Sequence, residues 1–230
     1  MVRRRRTAAL RGKAVITSLE RHYGRPPAPF PTDPFQQILW VNVAYLADDA
    51  RRLAAFRMLD RLAGLSPEAV WHAPPAVLRR GAAHGIMADR FAAKLRECAS
   101  IALDRFDGDL DAVVRRPLKD AVRALRAFPG IGGPGAEKIL LFAGRRALLA
   151  PDSNALRVLQ RLGMVPVRRS YAASYAAART IAAGLARGIV AMQRAHQLLR
   201  RHGMELCTRA QPACSHCPLI AQCPRTGVAT

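Results

Sequence analysis

The sequence predicts an all-α protein, on three observations. Ala, Leu and Arg recur throughout while aromatic residues make up only 6%, and these frequent side chains lose little rotamer freedom in a helix. No stretch alternates apolar and polar residues with the period of two that a half-buried strand requires. Turn signals break the chain into pieces of helical length, at Ser66-Pro67, Pro74-Pro75, Gly81 to Gly85, Asp107-Gly108, Pro117 and Pro129-Gly130. With 230 residues, half of them hydrophobic, the chain can form one large or two modest domains around a real core.

Residues 1–25 read as a basic opening helix, with Leu10, Val15, Ile16 and Leu19 near helical spacing. Four prolines between Arg25 and Pro31 make the next segment a connector, because each removes a donor and fixes φ. Asp33-Pro34 then has the form of an N-cap followed by a first-turn proline. Short amphipathic helices follow to Gly144, among them Phe91–Leu103, Leu118–Ala127 and Gly135–Gly144. Three more are expected at Ser153–Leu162, Ser170–Arg187 and Ile189–His202, before a cysteine-rich tail. There is no internal repeat and no low-complexity segment.

Lys and Arg number 37 against 16 Asp and Glu, for a net charge of +21. A GC-rich genome accounts for Arg over Lys but not for the shortage of acids, so a polyanionic partner, nucleic acid, is favoured. No apolar run is long enough to span a membrane. No apolar signal core follows the basic stretch Met1–Arg11, where Arg3–Arg6 reads as a solvated tail or an arm on phosphate. The expectation is a cytoplasmic, nucleoid-associated monomer with reduced thiols. Four of its five cysteines nevertheless crowd into the last 24 residues, which calls for something other than disulfides.

Cys207, Cys214, Cys217 and Cys223 have the spacing C-x6-C-x2-C-x5-C, and Pro212, Pro218 and Pro224 keep the segment turning. Four thiolates so placed suit either a structural zinc or a [4Fe-4S] cluster, and spacing alone does not separate them. Cys98 lies in a helical stretch and reads as a core or surface residue, not a ligand.

Between two predicted helices stands Phe128-Pro129-Gly130-Ile131-Gly132. Two glycines around an apolar residue permit positive φ and close backbone approach. The helix N-terminus that follows adds its positive dipole end, so the turn suits one phosphate oxygen read without regard to base sequence. Twenty residues beyond Gly132 comes Asp152, followed by Ser153 and a helical pattern. It has the form of a helix N-cap. A helix N-terminus also favours the ionised form of the carboxylate.

The cysteine spacing, at the end of a basic all-helical chain, closely resembles the [4Fe-4S] loop of the endonuclease III-type DNA glycosylases. The turn at 128–132 resembles their helix-hairpin-helix element. Hairpin, aspartate and cysteines keep the family's order and spacing over residues 30–224. The resemblance implies a six-helix barrel domain with the helix-hairpin-helix over residues 33–147. It also implies an iron–sulfur cluster domain from residues 1–32 and 148–230, with the DNA-facing cleft between the two. It makes Asp152 the catalytic acid and duplex DNA with a damaged or mismatched base the partner. Gly130, Ile131, Gly132, Gly135 and Lys138 become DNA contacts, and Arg209, His216 and Arg225 are placed to face phosphate.

The chain also departs from the family. Bifunctional members carry a lysine where this chain has Pro134, and proline has no amine to form a Schiff base. Lys138, one turn on, suits a phosphate contact or salt bridge better than the lyase role. The glycosylase is therefore expected to hydrolyse the base–sugar bond without cleaving the strand. A bifunctional glycosylase/lyase, a non-catalytic abasic-site binder and a zinc-stabilised DNA-binding module are the alternatives. The family's glutamine wedge aligns with Leu46, which reads equally as a core leucine, and Asp49 matches a loop aspartate that ties the backbone. Ile86 and Met87 could wedge from the other strand's side. Trp40, Asn42 and Tyr45 are the candidate base pocket. Asn154 stands where the family has histidine. Alkylated purines, deaminated bases and mismatched bases all remain open as substrates. The absence of an extension after the cysteines speaks against the adenine-removing mismatch enzymes.

Overall fold

The computed structural model describes the backbone of residues 2–228 and the side chains of residues 11–228. Its regular structure is entirely helical among the described residues, with thirteen α-helices and two single-turn 3-10 helices. No helix among them is long and apolar enough to cross a membrane. The chain divides into two compact units, one from Phe30 to Ala143 and one made of the chain before and after it.

The opening helix α1 spans Val2–Tyr23 and belongs to the second of these units. The first unit holds α2 (Pro34–Asn42), α3 (Asp49–Leu62), α4 (Pro67–His72), α5 (Pro75–Ala82), α6 (Ala88–Phe106), α7 (Leu110–Arg115), α8 (Leu118–Leu125) and α9 (Gly133–Phe142). Side-chain caps start half of them. Asp33, Asp48, Ser66 and Asp109 each accept the N–H three residues on, satisfying a donor that the first turn would otherwise orphan. Helix α6 is the centre of the unit. It buries Phe91, Leu95, Ala99, Ala102 and Phe106 along one stripe, and α2, α4, α5 and α7 pack against it. Helix α9 starts at Gly133, two residues earlier than the pattern suggests, because Pro134 fits the first turn, where no N–H is needed.

The second unit continues with α10 (Ser153–Arg161), α11 (Tyr171–Arg179), α12 (Ala182–Leu185) and α13 (Ile189–Glu205). The single helix expected over 170–187 is thus two. Thr180 ends the first by donating its hydroxyl back to Ala177 O, a bond that competes with the helical ladder. The short α12 then packs against α1. Val15 and Leu19 of α1 and Leu198 and Leu199 of α13 are fully or almost fully buried.

Helices α10 and α13 form the main contact of this unit. Ala155, Leu156, Val158 and Leu159 on α10, and Met192, Ala195, Leu198 and Leu199 on α13, are buried. At Gly203 the contact becomes backbone against backbone, for a Cβ there would lie 2.6 Å from Asn154 O. Gly203→Ala is therefore expected to destabilise the protein by about 1–3 kcal/mol through overpacking. An unchanged midpoint in denaturant unfolding would show that α13 can back away at no cost.

Candidate functional site

In the first unit, the turn between α8 and α9 is built as the sequence suggests. Gly130 has φ +74°, and both Gly130 and Gly132 are exposed. Gly132 is the N-cap of α9, so the first-turn amides of Gly133 and Gly135 have no carbonyl of their own helix to reach. Ile131 differs from its glycine neighbours. Its side chain is 5% exposed and its N–H donates to Phe128 O at 3.2 Å, so it anchors the turn. Lys138 is half-buried one turn further along α9.

The turn is braced from below by Asn42, at the end of α2. This residue is 1% exposed. Its amide donates to Pro129 O at 2.9 Å and to Ile38 O at 3.1 Å, and a Cβ at Gly130 would meet its Oδ1 at 3.1 Å. Asn42 thus holds the hairpin, a different task from the base-edge contact expected of it. Trp40 is half-buried and packs edge-on against Phe56. Tyr45 is exposed and stacks on Phe91, with ring centroids 4.8 Å apart. Cys98 is fully buried, and burial pushes its thiol up to about 12.

Leu46 is 74% exposed, which excludes its alternative reading as core. It has φ +55°, and Met87 has φ +59°. Left-handed backbone costs a residue with a Cβ ~1–2 kcal/mol, and such strain concentrates where function over-determines the conformation. The two loops are joined where Ile86 N–H donates to Tyr45 O at 3.2 Å. Together they expose Tyr45, Leu46, Ile86 and Met87.

In the second unit, Asp152 is the N-cap of α10. Its Oδ1 accepts Ala155 N–H at 2.8 Å, and its Oδ2 lies 3.2 Å from Arg200 Nε on α13. Beside it, Tyr171 OH donates to Pro151 O at 3.1 Å. Burial, then the Asp152 charge, raises the phenol above its ordinary range. Asn154 faces away from this group and accepts from Arg157 Nη2 at 2.9 Å.

The four tail cysteines line one cavity of about 20 Å³, together with Val158, Arg161, Leu162, His202 and Leu219. All four are free thiols. Among the described residues no group of three or more Cys, His, Asp or Glu side chains is placed to hold a metal ion. Burial pushes the Cys217 thiol up, and the other three cysteines add to the rise. Donors are aimed at the sulfurs, from Leu219 N–H to Cys217 and from Arg225 N–H to Cys223, each at 3.4 Å. His202 Nε2 lies 3.5 Å from Cys217 Sγ, and its Nδ1 lies 3.0 Å from Tyr23 OH. Burial lowers His202 to about 4 and raises Tyr23 to about 12. A neutral imidazole thus bridges the tyrosine hydroxyl and the sulfur, with one ring nitrogen donating and the other accepting. Arg161, only 8% exposed, donates to Thr208 O at 2.6 Å, Arg209 O at 3.1 Å and Cys207 Sγ at 3.4 Å. Arg209, His216 and Arg225 are exposed around this loop.

Arg200, Gly203, Arg157, Arg161 and the Tyr23–His202 pair were not singled out by the sequence. Only Gly203 left a sign, an isolated glycine inside a helical pattern.

The fold is that of the helix-hairpin-helix DNA glycosylases. Three solved structures show it over nearly the whole chain. An endonuclease III trapped covalently on DNA, in an estranged-adenine complex, has 17% identity and a TM-score of 0.72, covering 94% of this chain and 96% of that one. A non-covalent endonuclease III–DNA complex has 16% identity and a TM-score of 0.73, over 94% and 95%. A thermostable thymine-DNA glycosylase has 16% identity and a TM-score of 0.74, over 93% and 95%. No protein-family profile matches the chain. No curated protein matches it.

The brace under the hairpin makes a structural prediction. Asn42→Ala is expected to orphan Pro129 O, cost about 1–3 kcal/mol and speed amide exchange across residues 128–136. Unchanged exchange there would show that the turn holds its shape without Asn42.

Proposed function

We propose that this protein is a base-excision DNA glycosylase that hydrolyses the bond between a damaged or mismatched base and its sugar, without lysine chemistry. The observation that carries this reading is Asp152, a half-exposed carboxylate capping α10, in a fold shared with DNA glycosylases of two kinds. The net charge of +21 fits a duplex DNA partner. Gly130, Gly132 and Gly135, with Ile131 as anchor, form the turn that would take a phosphate at the start of α9, and Lys138 adds a cation nearby. Leu46 would fill the stack that a flipped nucleotide leaves, with Ile86 and Met87 inserting beside the opposite strand. Tyr45, exposed and stacked on Phe91, is the best placed of the base-pocket candidates.

The C1′–N bond breaks with its electron pair leaving on the base, and positive charge develops on the deoxyribose. The Asp152 carboxylate stabilises that charge and accepts a proton from the water that then bonds to C1′. Pro134 occupies the position of the family's Schiff-base lysine and has no amine to attack C1′, so the product is an intact strand with an abasic site.

Cys207, Cys214, Cys217 and Cys223 would hold a [4Fe-4S] cluster. The four residues line one cavity, with backbone N–H donors aimed at the sulfurs of Cys217 and Cys223, and their spacing is that of the family's cluster loop. Arg161, a buried cation held by carbonyls and a sulfur, fits an anionic thiolate-bound centre. When bound, the cluster supplies structure and negative charge that set the shape of the basic loop around it.

The test is a panel of duplex oligonucleotides, each with one lesion, followed by alkali. At least one lesion is expected to yield strand breaks only after alkali, and Asp152→Asn to slow release at least ~100-fold. Undiminished release by Asp152→Asn would take Asp152 out of the chemistry, and binding without release on every lesion would favour a non-catalytic DNA binder. Borohydride trapping that persists in Asp152→Asn and vanishes in Lys138→Ala would establish a lyase instead. Anaerobically purified protein is expected to be brown with ~4 irons per chain; a colourless zinc protein would refute the cluster. Lys138→Ala is expected to weaken DNA binding regardless of sequence and to reduce the salt slope by about one.

A further inference from the structure

We propose that Arg200 is a positioning residue for Asp152: it fixes the direction in which the catalytic carboxylate points. This rests on the reading of Asp152 as the essential acid. The carboxylate is held from two sides. Ala155 N–H on α10 takes Oδ1 at 2.8 Å, and Arg200 Nε on α13 takes Oδ2 at 3.2 Å. A single cap bond still lets the whole carboxylate swing by concerted rotation about Cα–Cβ and Cβ–Cγ; an ion pair to its second oxygen narrows that range.

The spacing of the pair is built into the backbone. Arg200 lies one turn before Gly203, whose closeness to Asn154 O sets how near α13 comes to the start of α10. The two partners therefore ride on helices in direct contact and need no chance meeting of two surface rotamers. Arg200 and Asp152 are about one-third exposed, at 32% and 29%, and ion pairs so accessible to water add little to stability. The guanidinium charge also opposes a cation forming at C1′, so electrostatics gives Arg200 no catalytic advantage. Aim is what remains. A carboxylate fixed before the substrate arrives needs no reorganisation as charge develops, and small misplacements of such a group are costly in rate.

The test compares single-turnover base release and affinity for a duplex with an abasic-site analogue. It uses wild type, Arg200→Ala, Arg200→Lys, Asp152→Asn and the double variant Asp152→Asn/Arg200→Ala. Arg200→Ala is expected to slow release roughly 10- to 100-fold with affinity unchanged, Arg200→Lys to recover most of the rate, and the double variant to be no slower than Asp152→Asn. Independently of activity, the Arg200 Nε–H resonance is expected to move in Asp152→Asn. Release by Arg200→Ala as fast as wild type, or faster, overturns the proposal, since Arg200 then gives the acid no help. So does a loss of rate matched by a loss of affinity, which makes Arg200 a phosphate contact. In both cases an inactive Asp152→Asn leaves the glycosylase reading standing. No release by wild type on any lesion overturns that reading, and this proposal with it.

Discussion

Helices α10 and α13 meet so closely at Asn154 and Gly203 that a methyl group does not fit between them, and the chemistry-bearing parts of the second unit hang on this contact. Helix α10 begins with Asp152 and continues through Arg157 and Arg161. Helix α13 brings Arg200, His202 and Gly203, then runs into Cys207. Arg157 ties the two together, donating to Asn154 Oδ1, Gly203 O and Cys207 O. The acid and the first cysteine are thus referred to the same pair of helices. A change in the approach of α13 would disturb both, although they are 55 residues apart in sequence.

Around the cysteines the problem is one of charge. At Cys217 burial, and after it the charges of the other three cysteines, oppose ionisation. The fold answers with donors: two backbone N–H groups, a histidine and Arg161. Arg161 is costly by itself, since a buried guanidinium needs compensation, and its partners here are carbonyl oxygens and one sulfur. Arginine and thiols relieve each other's penalties only if the sulfurs carry negative charge. That is the state in which they bind metal.

The first unit solves a geometric problem. A turn that leaves its amides exposed gives up hydrogen bonds of its own. Asn42 supplies them from the buried side, holding the carbonyl of Pro129 so that the opposite face of the turn stays open. No packing need calls for a polar residue at this buried position; its value is that it pins one turn. The strained pair Leu46 and Met87 shows the same logic in the neighbouring loops, where a hydrogen bond between Ile86 and Tyr45 holds two unfavourable backbone conformations in place.

What could be read in the sequence was what local chemistry determines. The caps at Asp33 and Asp152, the cysteine spacing and the glycine turn each act within a few residues, and each stands where the pattern put it. What escaped depends on residues far apart in the chain. Asn42 looked like a pocket residue because its neighbours Trp40 and Tyr45 are aromatic, yet its partner is 87 positions away. Leu46 could be assigned to core or surface with equal ease, because a leucine's character does not reveal a left-handed backbone. Arg200 was invisible among the arginines of a chain with net charge +21. Its meaning comes from the close passage of α13 at Gly203, and no local pattern states which surface arginine a distant glycine brings against a carboxylate.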